Sequence, residues 1–270
     1  MYAEKQKQLV RELESVAATK LFVHSDSFKT LPLIKISTKK RDILSQHIQL
    51  LQKLVDDDGL ILPAFSYQFP RSRSYDLQAT PSEVGHISEF FRTEVASWRT
   101  IDPMFSVCGT GSAPDCEQAA NVSSFDDSSF FSTLVADDAH ILFYGANIRS
   151  ATILHHAEFL AKVSYRYWKR FDGHLIAEGD VSPLALSSHF RPMGKYLDYH
   201  WEKIEADLSN AGLLKQYGTN VSGINAKDLV DFWCHKMSKD HLYLLDDESR
   251  EWVEPTLERL GRAFTKEDFE

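Results

Sequence analysis

Thr152, His155 and Glu158 follow one another at intervals of three residues. A helix through this stretch stacks a hydroxyl, an imidazole and a carboxylate along one stripe, with Phe159 beside them. Neutral imidazole takes up a proton near pH 7, and a carboxylate within reach fixes its tautomer and stabilises the imidazolium that forms. A partly exposed amphipathic helix without any chemistry presents the same stripe, so the surrounding elements must decide between the two. His156 points about 100° away on a helix. It cannot share the stripe and is expected to pack or to face solvent.

Three apolar runs have the length of buried strands and end in polar groups. His140-Ile-Leu-Phe-Tyr144 leads through Gly145-Ala-Asn147-Ile-Arg149-Ser150 directly into the stripe. Asn147 or Ser150 is placed to cap the helix, which sets His155 near a helix N-terminus, where the dipole disfavours imidazolium. Leu21-Phe-Val-His24 runs into Ser25-Asp26-Ser27, and Leu60-Ile-Leu-Pro63-Ala-Phe65 into Ser66-Tyr67. Strand ends of this kind are where ligands sit in α/β folds.

The remaining elements follow from periodicity and caps. Helical spacing covers residues 4–17, 40–55 (closed by the turn Asp56 to Gly59) and 128–135. Thr80-Pro81-Ser82-Glu83 reads as the start of a helix running to Val95, with Thr80 as N-cap and Glu83 three residues on. Gln68–Ala79 reads as a surface loop, and Arg99–Gly111 as a loop feeding a strand. Beyond residue 174 the pattern weakens to a helix with Ile204 and Leu208, a strand over Val221–Ile224, a last helix through Leu229–Trp233 and a charged surface tail after Asp246. No repeat, low-complexity block or linker interrupts the chain. These elements are expected to form one α/β domain over residues 1–270.

Of 270 residues, 43% are hydrophobic and 26% charged, as in soluble globular proteins. A formal net charge of -9 speaks against non-specific binding to nucleic acid or an anionic membrane. The basic and aromatic stretch Tyr165–Gly173 is too short to reverse that. The acidity suits a cationic substrate, and solubility alone accounts for it equally well. Neither a signal peptide nor a run of roughly 20 apolar residues is present, so a cytoplasmic location is expected. Cys108, Cys116 and Cys234 contain no Cys-x-x-Cys pair and are expected to be reduced thiols. Gly109-x-Gly111 lacks the lysine and further glycines of a phosphate loop.

Taken in order, Val23-His24-Ser25, Leu62-Pro63-Ala-Phe65-Ser66, Thr80-Pro-Ser-Glu-Val-Gly85, Pro103-Met-Phe-Ser106-Val and Thr152-Ile-Leu-His155-His156-Ala-Glu158 resemble the aminoglycoside 3-N-acetyltransferase family. Tyr165-Arg166 and Asp228-Leu-Val-Asp231 extend the likeness over roughly residues 20–235. Each motif is short; the ordered set is specific. The resemblance implies a single mixed α/β domain that transfers acetyl from acetyl-coenzyme A to an amine of an amino sugar, without a metal. It implies small-molecule partners and leaves the oligomeric state open. It puts the catalytic histidine on His155 with Thr152 and Glu158, and the coenzyme beside His24, Ser25, Phe65, Ser66 and Ser106. Tyr67, Asp102 and Asn147 are the candidates for the acceptor side.

Antibiotic-modifying members often carry His-Pro-Thr-His-Ser where this chain has Asp102-Pro103-Met104-Phe105-Ser106, and Gly-Thr where it has Gly59-Leu60. These departures flank the stripe and widen the acceptor from an aminoglycoside to a nucleotide-linked or surface-glycan amino sugar. Three rivals stand beside acetyl transfer. A metal hydrolase on His155, His156 and Glu158 lacks the His-Glu-x-x-His order. A cysteine-based acyltransferase would work through Cys108 or Cys234. A non-catalytic amino-sugar-binding module would share the fold.

Overall fold

Continuous apolar runs become the middle of a sheet. The computed structural model describes residues 2–14, 19–55, 58–114 and 121–270, so Val16, Asp56, Asp57 and Cys116 lie outside the described residues. The strands, in chain order, are β1 (Leu21–Ser25), β2 (Leu60–Pro63), β3 (Ser74–Asp76), β4 (Trp98–Arg99), β5 (Val107–Gly109), β6 (Val122–Ser123), β7 (His140–Tyr144), β8 (Tyr167–Ala177), β9 (Asp180–Phe190), β10 (Lys215–Gln216) and β11 (Val221–Asn225). One sheet has the order β10-β11-β7-β1-β2-β5-β4 and the other β3-β8-β9-β6.

In the larger sheet β1 pairs in parallel with both β2 and β7, and the outer pairs are antiparallel. Strands covered on both faces need apolar side chains throughout, which is why β2 and β7 are buried along their whole length. Chain order moves from β1 to β2 on one side and then to β7 on the other, so a crevice opens at the carboxyl ends of β1 and its neighbours. Gly145 ends β7 there. A side chain on it would meet the Asp26 carbonyl at 2.4 Å, and its φ of +80° favours glycine as well.

Several expectations are corrected. No strand is expected over residues 167–190, yet β8 and β9, of 11 residues each, form a hairpin in register from Tyr167↔Phe190 to Ala177↔Asp180 and closed by Glu178-Gly179, both with positive φ. Lys169 and Gly173 on the inward face of β8 and Trp168 on its open face hide its alternation. The Gln68–Ala79 loop holds a helical turn, Phe69–Ser72, and strand β3. The helix expected from Thr80 begins at His86. Thr80 Oγ1 instead accepts from the Asp76 N–H and closes the preceding turn, while Glu83 accepts from Ser66 Oγ, Tyr67 N–H and Gln68 Nε2, so both capping side chains are taken up elsewhere. The charged tail is a helix, Asp247–Leu260, capped by Asp246 and anchored by buried Val253, with Phe264 buried beyond it.

Candidate active site

The stripe forms where β7 ends. Asn147 caps a single 3-10 turn, Ile148–Ser150, by accepting from the Arg149 N–H, and the helix proper is the short Leu154–Leu160 with no side-chain cap of its own. Thr152 therefore lies in the turn before the helix, one carbonyl bond away from the His155 N–H. Leu154 and Ala157 bury against the core and the helix packs on Ala226–Lys239, which fixes its rotation. Burying a leucine side chain contributes roughly 1.5–3 kcal/mol, enough to hold a two-turn helix that propensity alone would not.

That rotation sends Glu158 inward. Its side chain is fully buried, and its Oε2 lies 2.6 Å from Arg166 Nε and 2.8 Å from His155 Nδ1. Its Oε1 accepts from the hydroxyls of Tyr165 at 3.0 Å and Tyr199 at 2.9 Å. Arg166 also donates to the His189 carbonyl at 2.9 Å and to the Tyr199 hydroxyl. Burial pushes the Glu158 pKa up, but Arg166 and His155 outweigh it and hold the carboxyl at about 2. Glu158 is thus ionised, and its charge is matched by a guanidinium that is itself buried.

This pairing sets the state of His155. Burial lowers the imidazole below its ordinary value and Arg166 lowers it further, while the hydrogen bond and charge of Glu158 work in the opposite direction without reversing it. Expected neutrality therefore holds, with burial as the leading cause. With the Nδ1 proton donated to Glu158, the lone pair is on Nε2. His155, 23% exposed at its side chain, stands at the junction of two clefts.

The first cleft, about 310 Å³, collects His24, Ser25, Phe65, Tyr67, Thr152 and Arg149 from the carboxyl ends of β1, β2 and β7. Here His24 Nε2 and Ser25 Oγ are buried with no hydrogen-bond partner among the described residues. Burial holds the His24 ring neutral, with a pKa near 3. The Thr152 hydroxyl has only a 3.3 Å bond to the Ser150 carbonyl. The second cleft, about 230 Å³, runs toward β9 past Phe105, Phe125, His189, Arg191 and Asp198.

Other sequence candidates take structural positions. Ser66 is buried and donates to Glu83. Ser106 is buried, donates to the Ala64 carbonyl and accepts from Arg99 Nε. Asp102 is buried and closes its own turn by accepting from the Met104 and Phe105 N–H groups. Asn147 is engaged in its cap. His156 is buried as expected, its Nδ1 on the Phe125 carbonyl at 2.8 Å. Cys108 is buried, with burial raising its thiol to about 12, and the Cys234 thiol is raised by burial too. Among the described residues no group of three His, Cys, Asp or Glu side chains is arranged to hold a metal ion.

Two residues central to this cluster escaped the sequence as site residues. Arg166 sat in a stretch notable for basic and aromatic residues, where nothing marked it as the partner of a carboxylate eight positions earlier. Tyr199 is 41 residues from Glu158 and reaches it only through the fold.

A neutral imidazole, oriented by a buried carboxylate and open at Nε2 between two clefts, can relay a proton between two substrates that meet there. The profile of the family described as aminoglycoside 3-N-acetyltransferase matches residues 23–238. No curated protein sequence matches significantly. Among solved structures, "AAC-IIIb binary with CoASH" superposes with a TM-score of 0.69 at 17% identity, covering 87% of this chain and 96% of that one. The apoenzyme of aminoglycoside acetyltransferase AAC(3)-IVa gives 0.68 at 19% identity, covering 94% and 96%. Sisomicin-bound AAC-VIa gives 0.66 at 20% identity, covering 87% and 97%. At these identities the superpositions establish the mixed α/β fold.

Proposed function

The chain belongs to the aminoglycoside 3-N-acetyltransferase family, whose members are acetyl-coenzyme A-dependent acyltransferases, and we propose that it acetylates an amino group of an amino sugar with His155 as general base. The observation that carries this is the His155 ring, pinned at Nδ1 by Glu158 and open at Nε2 where the two clefts join. The coenzyme's acyl arm is assigned to the first cleft, where the unpartnered His24 Nε2 and Ser25 Oγ can meet its amide groups and Phe65 supplies an apolar wall. A structural relative of the same fold is known with coenzyme A bound. The acceptor is assigned to the second cleft.

In the reaction, the acceptor nitrogen attacks the thioester carbonyl carbon, a C–N bond forms and the C–S bond breaks. His155 Nε2 takes the proton released from nitrogen and passes it to the departing thiolate, so the ring ends as it began. Glu158 keeps the tautomer correct and stabilises the transient imidazolium. The Thr152 hydroxyl, held by one long bond, is free to turn toward the carbonyl oxygen as charge builds there. Holding both reactants at one ring supplies much of the rate.

The test is free-thiol release from acetyl-coenzyme A across a panel of aminoglycosides and nucleotide-linked amino sugars, with mass analysis of the product. Release with a product heavier by one acetyl group is expected for at least one class. Binding of amines without release would replace the proposal with a non-catalytic amino-sugar-binding module.

A further inference from the structure

Both clefts beside His155 are rich in guanidinium and poor in carboxylate. Building on the acetyl-transfer reading, we propose that the acceptor amine carries an anionic substituent, a phosphate in its simplest form, and that Arg191 holds it.

Arg191 follows the end of β9 and lines the second cleft. Its Nη1 donates to the Leu197 carbonyl at 3.3 Å, and among the described residues it joins no ion pair. Arg166 lines the same cleft, but Glu158 at 2.6 Å matches its charge. Asp198 is the carboxylate lining this cleft, and its Oδ1 accepts from the Tyr199 N–H at 2.8 Å and from Trp201 Nε1 at 3.2 Å. Arg191 and His155 line this same cleft.

The first cleft repeats the pattern. Arg149 lines it, also without an ion pair, and no carboxylate does. Glu83 stands beside the rim with its Oε1 taken by Ser66, Tyr67 and Gln68. A polycationic aminoglycoside in the second cleft would face the unmatched Arg191 guanidinium with one partly engaged carboxylate to set against it. The overall charge of -9 does not offset this, since exposed charges more than about 8–10 Å away are largely screened in physiological salt. An amine paired with a phosphate fits both Asp198 and Arg191, and a bidentate guanidinium–phosphate contact adds orientation.

The experiment compares wild type with Arg191→Gln and Arg191→Lys, measuring thiol release from acetyl-coenzyme A with glucosamine, glucosamine 6-phosphate, UDP-glucosamine and kanamycin. A charge-assisted contact is worth roughly 1.5–3 kcal/mol, or about 10- to 150-fold. Wild-type kcat/KM should favour one of the phosphorylated amines over glucosamine by that factor. Arg191→Gln should collapse the ratio through the acceptor KM, with the KM for acetyl-coenzyme A unmoved, and Arg191→Lys should restore part of it. Preference for UDP-glucosamine assigns the anion to a nucleotide diphosphate, and preference for glucosamine 6-phosphate to a phosphate monoester. Equal or better use of glucosamine or kanamycin overturns the anionic acceptor and leaves acetyl transfer standing. So does an Arg191→Gln effect confined to acetyl-coenzyme A. No release with any amine overturns both.

Discussion

Replacing Glu158 by glutamine separates what the carboxylate's shape does from what its charge does. The carboxylate has one ion-pair partner and three hydrogen-bond partners: Arg166 Nε at 2.6 Å and His155 Nδ1 at 2.8 Å on Oε2, and the hydroxyls of Tyr165 at 3.0 Å and Tyr199 at 2.9 Å on Oε1. An amide of the same size can put its oxygen toward Arg166 and His155, and its NH₂ can donate to the two hydroxyls, which also accept. The geometry is therefore recoverable and the charge is not. A fully buried guanidinium is left unpaired, which costs about 3–5 kcal/mol. For a chain of this size that lowers Tm by roughly 6–20 °C at about 2–4 °C per kcal/mol. Turnover falls for a second reason. The imidazolium that forms during proton transfer loses a charge-assisted partner worth roughly 1.5–3 kcal/mol, so kcat should drop about 10- to 150-fold, with the KM for acetyl-coenzyme A preserved. Thermal unfolding and thiol release on the same preparation read both effects. An unchanged Tm together with unchanged kcat would refute the claim that Glu158 is a charged, buried and orienting partner.

Acid should destabilise the fold well above the usual carboxylate range. Burial holds His24 at about 3, and His47 and His189 at about 4, all below the ordinary imidazole value, so the unfolded chain binds more protons. Their contribution is complete above about pH 6.5 and is lost as pH falls toward about 4, at most about 4 kcal/mol per pH unit for the three together. Equal urea midpoints at pH 7 and pH 5 would contradict this. Alkylation of the native protein with iodoacetamide at pH 7 should leave thiol release intact, because burial raises both described thiols, Cys108 to about 12. Loss of activity on alkylation would bring back the cysteine-based rival.

Sequence spacing carried some elements and could not carry others. The strands β1, β2 and β7 are legible because a sheet covered on both faces demands continuous apolar runs, and Leu21–Val23, Leu60–Leu62 and Ile141–Tyr144 supply them. The three-residue step from His155 to Glu158 is legible because a helix places such neighbours side by side, and they meet at 2.8 Å. The hairpin β8–β9 is hidden because the face of β8 that buries Tyr167, Phe171 and Leu175 also carries Lys169 and Gly173, while Trp168 stands on the open face. The Thr80–Glu83 capping box fails because Thr80 closes a local turn on the Asp76 N–H, and because Glu83 is taken by Ser66, which only the folded chain brings near. Arg166 lies close in sequence to Glu158 but follows the helix, so helical periodicity does not pair them. The turn to β8 does.

Turnover by His155→Ala tests the central claim most directly, measured as thiol release from acetyl-coenzyme A with the best amine from the acceptor panel and compared with wild type across pH. Loss of a general base predicts a fall of roughly 10²–10⁴-fold in kcat, disappearance of the acid limb of the pH–rate profile and nearly unchanged coenzyme binding. Wild-type-like turnover with the acid limb intact would contradict the account.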